Sequence, residues 1–255
     1  MTATATTIAT ETVVSPAAFA AAVALVAPYA TDGILRPIMS GINIRTHSDT
    51  LTLIAADEFT VAEYSVPCDL AGDIDLTIPA KELAALAKTA AKAPSQLTIT
   101  QDGDTLTLLT CDGAQTIAAV SDQFTPTYPD VGQIIRRESP VKLSVACNAL
   151  RPAVLTFDGF ARHQSEVIKL AHADDKLALS AHHTGAALTV NIDAGATRSI
   201  DRYPALNYTY LARIARTTVK GNVVFGIGDP KHMVMVQWSD LPGLTVGIMP
   251  MVIGG

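Results

Sequence analysis

The sequence predicts an α+β protein made of four strand–helix–three-strand units, and three observations carry that expectation. Short runs of alternating apolar and polar residues, the period of a half-buried strand, recur along the whole chain. Alanine- and leucine-rich stretches of helical length interrupt them at regular intervals. Turn triplets fall at equivalent places: His47-Ser48-Asp49, Asp102-Gly103-Asp104, Ala173-Asp174-Asp175 and Asp229-Pro230-Lys231 each separate the first two strands after a helix.

The first unit starts at Glu11 with a strand, then a helix over 16–28, then strands near 38–47, 51–56 and 60–66. Ser15 suits the N-cap of that helix and Pro16 its first turn. The apolar run 16–28 follows a threonine-rich acidic start, lacks a basic flank and is too short to span a bilayer. It is expected as a core helix behind a frayed Met1–Thr10. The second unit (72–120) has a strand Ile74–Ile78 and a helix Ala80–Lys92, entered through Pro79 and ended before Ala93-Pro94-Ser95. Leu97, Ile99, Leu106 and Leu108 then alternate with polar residues about the Asp102-Gly103-Asp104 turn.

The third unit begins at Val141, with a helix near 147–158 and strands near 166–172, 176–181 and 186–192. Pro152 lies inside that helix, where it removes a hydrogen bond, so the helix either starts late or kinks. The fourth begins near Arg198, with a helix near 204–217 and strands near 222–227, 232–238 and 243–249. Two pairs of units imply two domains, 1–125 and 140–255, joined by a linker over 126–139 that carries Arg136-Arg137-Glu138.

A chain of 255 residues, 49% hydrophobic and 16% charged, has the composition of a compact folded protein. Its net charge of −6 means that any nucleic-acid surface must be local. Cys68, Cys111 and Cys147 are odd in number and widely spaced, which fits a reducing cytoplasm, no disulfide framework and no zinc site. Neither a phosphate-binding glycine loop nor a nucleophile or metalloprotease motif occurs. His182-His183 reads as a solvated turn, and Asp57 as a hairpin residue satisfying local backbone groups. An enzyme on a repeated scaffold would have only Asp57 and scattered histidines to draw on, so neither catalysis nor a cofactor is expected.

Basic stripes are the stronger signal. Lys81, Lys88 and Lys92 share one face of the second helix, opposite Leu83, Leu86, Ala87 and Ala90. Arg213, Arg216 and Lys220 repeat the pattern on the fourth, opposite Leu211, Ile214 and Ala215. One such helix would be an ordinary solvated face. Equivalent helices that are both basic, in an acidic chain, point to an organised positive surface. With no aromatic residues expected between them, they suit phosphate contact and not base stacking.

Ile78-Pro79-Ala80-Lys81-Glu82-Leu83, Tyr128-Pro129-Asp130 and Arg36-Pro37-Ile38-Met39-Ser40-Gly41 resemble the bacterial replicative sliding clamp family, the β subunit of DNA polymerase III. So do Leu51–Asp57, Leu206-Asn207-Tyr208-Thr209-Tyr210-Leu211, Asp229-Pro230 and the closing Ile248-Met249-Pro250-Met251. The resemblance implies the DNA-clamp (processivity factor) fold, with helices lining a ring channel and sheets outside. Clamps of that family have three domains per chain; this chain holds the equivalent of the second and third. Three copies would close a homotrimeric ring of six domains. A short clamp of bacterial type suggests a bacterial cytoplasm and a phage or mobile-element origin.

On that resemblance Lys81, Lys88, Lys92, Arg151, Arg213, Arg216 and Lys220 would face encircled double-stranded DNA. DNA polymerase and clamp loader would dock short peptides on Ala56, Phe59, Val61, Pro129, Ile134, Ile248, Met249, Pro250 and Met251. The chain departs from the family at Glu58, Thr60 and the extension Val252–Gly255. The charge-free edges Gln115–Val120 (Gln115, Ile117, Ala118, Val120) and Ala186–Ile192 (Ala186, Leu188, Val190, Ile192) are expected to pair between subunits. A rival reading is a clamp-like decoy that captures clamp-binding peptides without encircling DNA.

Overall fold

The computed structural model describes residues 10–31, 36–70, 73–94, 96–120, 127–136, 138–163, 166–183, 185–198, 204–217, 220–228 and 232–251. They form two compact units, one of residues up to Glu58 with Ala62–Pro129, the other of Phe59–Val61 with the chain from Asp130 on.

In the first unit β1 (Thr10–Val14) leads into α1 (Pro16–Val26), then β2 (Gly41–His47), β3 (Thr50–Ala56) and β4 (Thr60–Pro67), whose first two residues belong to the second unit. The two-residue β5 (Asp69–Leu70) precedes β6 (Asp75–Pro79), α2 (Ala80–Ala90), β7 (Leu97–Asp102), β8 (Thr105–Thr110) and β9 (Gly113–Ala118). One antiparallel sheet runs β5-β1-β7-β8-β9, and a second run is β6-β2-β3-β4. α1 and α2 pack side by side, burying Phe19, Ala22, Val23 and Val26 from one and Leu83, Ala87 and Ala90 from the other. A fully buried side chain such as Phe19 contributes roughly 1.5–3 kcal/mol.

The second unit opens with a helical turn, α3 (Gly132–Ile135), inside the stretch expected as a linker. It continues with β10 (Val141–Ala146), α4 (Cys147–Leu155), α5 (Asp158–His163), β11 (Val167–Ala173), β12 (Lys176–His183) and β13 (Ala186–Ala196). Then come β14 (Ala205–Asn207), α6 (Tyr208–Arg216), β15 (Asn222–Ile227), β16 (Val234–Trp238) and β17 (Leu241–Ile248). The strands order as β14-β11-β12-β13-β10-β15-β16-β17, and α4 packs against α6.

The turn signals act as read. Gly103 takes φ 53° between paired Asp102 and Thr105, and Asp174 and Asp175 take φ 50° and 56° between Ala173 and Lys176. Two consecutive positive φ values match the right-handed twist of the strands they join. Asp229-Pro230-Lys231 and residues 199–203, around the expected start of the fourth unit, lie outside the described residues.

Several boundaries differ from the expectation. Residues 37–40 form a 3₁₀ turn, closed by Ser40 Oγ donating to the Pro37 carbonyl at 2.7 Å, so β2 starts only at Gly41. That glycine is required by packing, since a Cβ there would meet Thr77 and stand 2.9 Å from the Ile78 carbonyl. α4 starts at Cys147 and runs through Pro152 to Leu155. Pro152 and Asn148 are both exposed, so water can satisfy the carbonyl that the proline leaves without its donor. α4 stops three residues short of the expected end at 158, and the chain then forms α5, a helix that was not expected. Residues 204–207 are not helical: Ala205–Asn207 form β14, and Asn207 caps α6 by accepting the Thr209 N–H at 2.8 Å. His182 and His183 end strand β12, exposed, and do not form a turn.

Candidate nucleic-acid and peptide interfaces

α2 buries its apolar side and leaves Lys81, Ala85 and Lys88 exposed along one stripe. Glu82 sits in the first turn, where it favours the positive end of the helix dipole. The helix ends at Ala90, so Lys92 is not on its face. It lies in the following turn, exposed, with its N–H donating to the Thr89 carbonyl at 3.1 Å. Among the described residues no ion pair involves Lys81, Lys88 or Lys92. The neighbouring α1 exposes Ala17, Ala21 and Ala24 and adds no charge.

α6 presents its cations differently. Tyr208, Leu211, Ala212, Ile214 and Ala215 are buried. The Arg213 guanidinium lies 5.6 Å from the centre of the Tyr210 ring, which itself packs 6.3 Å from the Phe59 ring. Arg216 Nη2 is 3.9 Å from Asp158 Oδ1, and the Tyr208 hydroxyl donates to that same oxygen at 2.6 Å. Aromatic rings and an acid therefore do stand beside these arginines, contrary to the sequence expectation. Lys220 lies beyond the helix, exposed ahead of β15. Arg151 is exposed on α4 beside Pro152.

The expected peptide-binding residues separate by burial. Phe59 is 49% and Ile134 43% exposed, large apolar side chains in water; Met249, Pro250 and Met251 are half-buried. Val61, Ile248 and Ala56 are core residues, at 1%, 0% and 3% exposure, so their side chains are not open to a peptide. Ala56 and Pro129 belong to the first unit, the others to the second. Backbone bonds hold the C-terminal residues: Met249 N–H donates to the Phe59 carbonyl and Met251 N–H to the Ala205 carbonyl, each at 2.8 Å. Burial pushes the phenol of Tyr128, which precedes Pro129 in the first unit, well above the ordinary tyrosine range.

Both expected edge strands exist, with different limits. β9 is the last strand of its sheet and exposes Gln115 and Ala118, while Ile117 is buried in the unit's own core. Val120 lies past the strand and donates its N–H to the Thr77 carbonyl at 2.8 Å. β13 is not terminal in its sheet: it pairs with β12 from Ala186 to Asp193 and with β10 from Ala194 to Ala196. Among the described residues no strand pairs with its other side from Ala186 to Ile192, where Ala186 is exposed and Leu188, Val190 and Ile192 are half-buried.

Asp57 sits in the turn between β3 and β4, and among the described residues no group of three His, Cys, Asp or Glu could hold a metal ion. Burial raises the thiol pKa of Cys68 and Cys147, with Asp49 and Asp69 adding to the effect at the first and Asp240 at the second. Among the described residues no helix is long and apolar enough to cross a membrane.

The architecture is that of a clamp-like α+β protein, and the comparisons with known proteins agree on the fold. The DNA polymerase III β subunit of Thermotoga maritima superposes with a TM-score of 0.87 at 16% identity, over 100% of this chain and 68% of its own. The corresponding subunit of Pseudomonas aeruginosa gives 0.86 at 15% over 95% of this chain and 66% of its own. That of Borrelia burgdorferi, solved with a natural product, gives 0.84 at 15% over 100% and 65%. The chain thus spans about two thirds of the length of these subunits. No family model and no curated protein sequence matches.

Proposed function

We propose that this protein is a DNA sliding clamp, a non-enzymatic processivity factor that tethers partners to duplex DNA by encircling it. The carrying observation is a clamp fold over the whole chain whose α2 exposes lysines with no acid paired to them among the described residues. In this reading Lys81, Lys88, Lys92, Arg151, Arg213, Arg216 and Lys220 form a diffuse field for phosphates, without sequence reading. Residues 1–125 correspond to the middle domain and 140–255 to the C-terminal domain of a three-domain clamp. Retention comes from closure and not from affinity. After loading, the protein should stay on nicked circular DNA and leave when the circle is linearised; equal retention on both forms sinks the proposal.

Closure follows from pairing β9 of one copy with the outer edge of β13 in the next, head to tail, three copies completing the ring. Placing proline at Ala118 and Thr189, whose N–H groups face away from β8 and β12, removes donors from both edges. Light scattering should then report folded monomers, and a surviving trimer would place the interface elsewhere.

Polymerase and loader peptides dock on Phe59, Ile134, Met249, Pro250 and Met251, whose flexible thioethers adapt to varied apolar anchors. Met251→Asp should weaken binding of polymerase tail peptides by tenfold or more (about 1.4 kcal/mol) in a fluorescence titration, and unchanged affinity would remove this surface. In the same reading the protein works in a bacterial cytoplasm and is encoded by a phage or mobile element. The decoy reading draws support from the two α6 arginines already engaged inside the protein. Neutralising Lys88 and Arg213 would leave a decoy unaffected and weaken the salt-dependent DNA binding of a clamp.

A further inference from the structure

Asp158 lies at the start of α5, yet its Oδ1 serves both ends of α6. The Tyr208 hydroxyl donates to it at 2.6 Å from the first residue of that helix, and Arg216 Nη2 approaches to 3.9 Å from the last. The Tyr208 ring is 2% exposed, so the short bond holds the carboxylate from the buried side. Arg216 reaches the carboxylate from the solvent side, the two side chains being 47% and 45% exposed. A pair that exposed and that long is weak, and an approaching phosphate can displace it.

We propose that Asp158 is a counter-charge that withholds Arg216 from DNA phosphate and so limits the grip of α6. Phosphate and Asp158 compete for one guanidinium. Every contact that Arg216 makes with DNA costs its bond to the carboxylate and leaves a negative charge beside the backbone. A tether that must move along DNA gains from such competition, because each contact is replaced as it breaks and none is held long. α2 carries no such device among the described residues. The inference rests on the clamp reading and adds to it which residue sets the strength of hold.

The test uses the full chain, a short open duplex and a titration of binding against salt. Asp158→Asn keeps an oxygen for Tyr208 and removes the charge. It should tighten binding about threefold and steepen the salt dependence by about one phosphate contact. Both gains should vanish when Arg216→Gln is already present. Equal tightening in the Arg216→Gln background would mean that Asp158 acts through general repulsion, which overturns the proposal, as does no tightening at all. Should Asp158→Asn not fold, Arg216→Gln alone decides: it should weaken binding less than Lys88→Gln, and an equal or larger loss overturns the inference. Wild-type protein that binds no DNA, open or circular, fails the clamp reading and this proposal with it. Wild-type binding that Asp158→Asn leaves unchanged fails this proposal alone.

Discussion

α2 and α6 occupy the same position in their units, each after a short strand and before three longer ones, but they hold their charges in opposite ways. Lys81 and Lys88 extend from alanine-rich backbone into water, with no described acid paired to them. Arg213 lies against a tyrosine ring, and Arg216 is drawn to Asp158. A lysine is a mobile point charge that adjusts to whatever anion passes, whereas a stacked or paired arginine is directed before any ligand arrives. Equivalent places in a repeat therefore need not make equivalent contributions. A basic residue counted in sequence is worth less once an internal partner has claimed it.

The largest effect should show that the two helices are anchored alike. Leu83 and Leu211 are 0% and 1% exposed, and replacing either by alanine should cost about 3 kcal/mol in chemical denaturation. A cost below about 1 kcal/mol at one site would show that its core relaxes and break the equivalence. A smaller effect should separate the helices by charge. Lys81→Gln with Lys88→Gln should lower the salt dependence of DNA binding by about two contacts, and Arg213→Gln with Arg216→Gln by about one. Equal slopes would mean that the ring and the carboxylate release their arginines freely.

What was legible in the sequence was local. Alternation at Leu97, Ile99, Leu106 and Leu108 and the glycine at 103 suffice to place β7 and β8, because strand period and turn conformation are set by neighbours. Helix ends were harder. Pro204 ahead of Ala205-Leu206 looks like a first helical turn, yet Asn207 is the cap and the residues before it pair with β11. Ala91 and Lys92 carry no stop signal of their own, so the helical pattern overran the last turn. Tyr210 and Arg213 stand three residues apart, and their contact was open to a reading of helical neighbours. Asp158 was not, because it meets Tyr208 across 50 residues of chain and only tertiary packing brings them together. Edges behaved similarly: composition marked Ala186–Ile192 as uncharged, but that β13 runs on through Asp193 and pairs its last three residues with β10 depends on the sheet order.

The membership of Phe59–Val61 in the second unit bears on how the molecule can be cut and made. Residues 130–255 expressed alone would have neither the Phe59 carbonyl that takes the Met249 N–H at 2.8 Å nor the Val61 side chain that packs against Gly247. On the ribosome these three residues leave the exit tunnel long before the strand they complete. They wait, as part of a nascent first half, while the rest of the chain is made (about 10–40 s of synthesis). The C-terminal half is thus a unit in space but not a gene fragment, and a split placed in the linker, though it falls at the Pro129/Asp130 boundary, would leave Phe59–Val61 on the wrong piece.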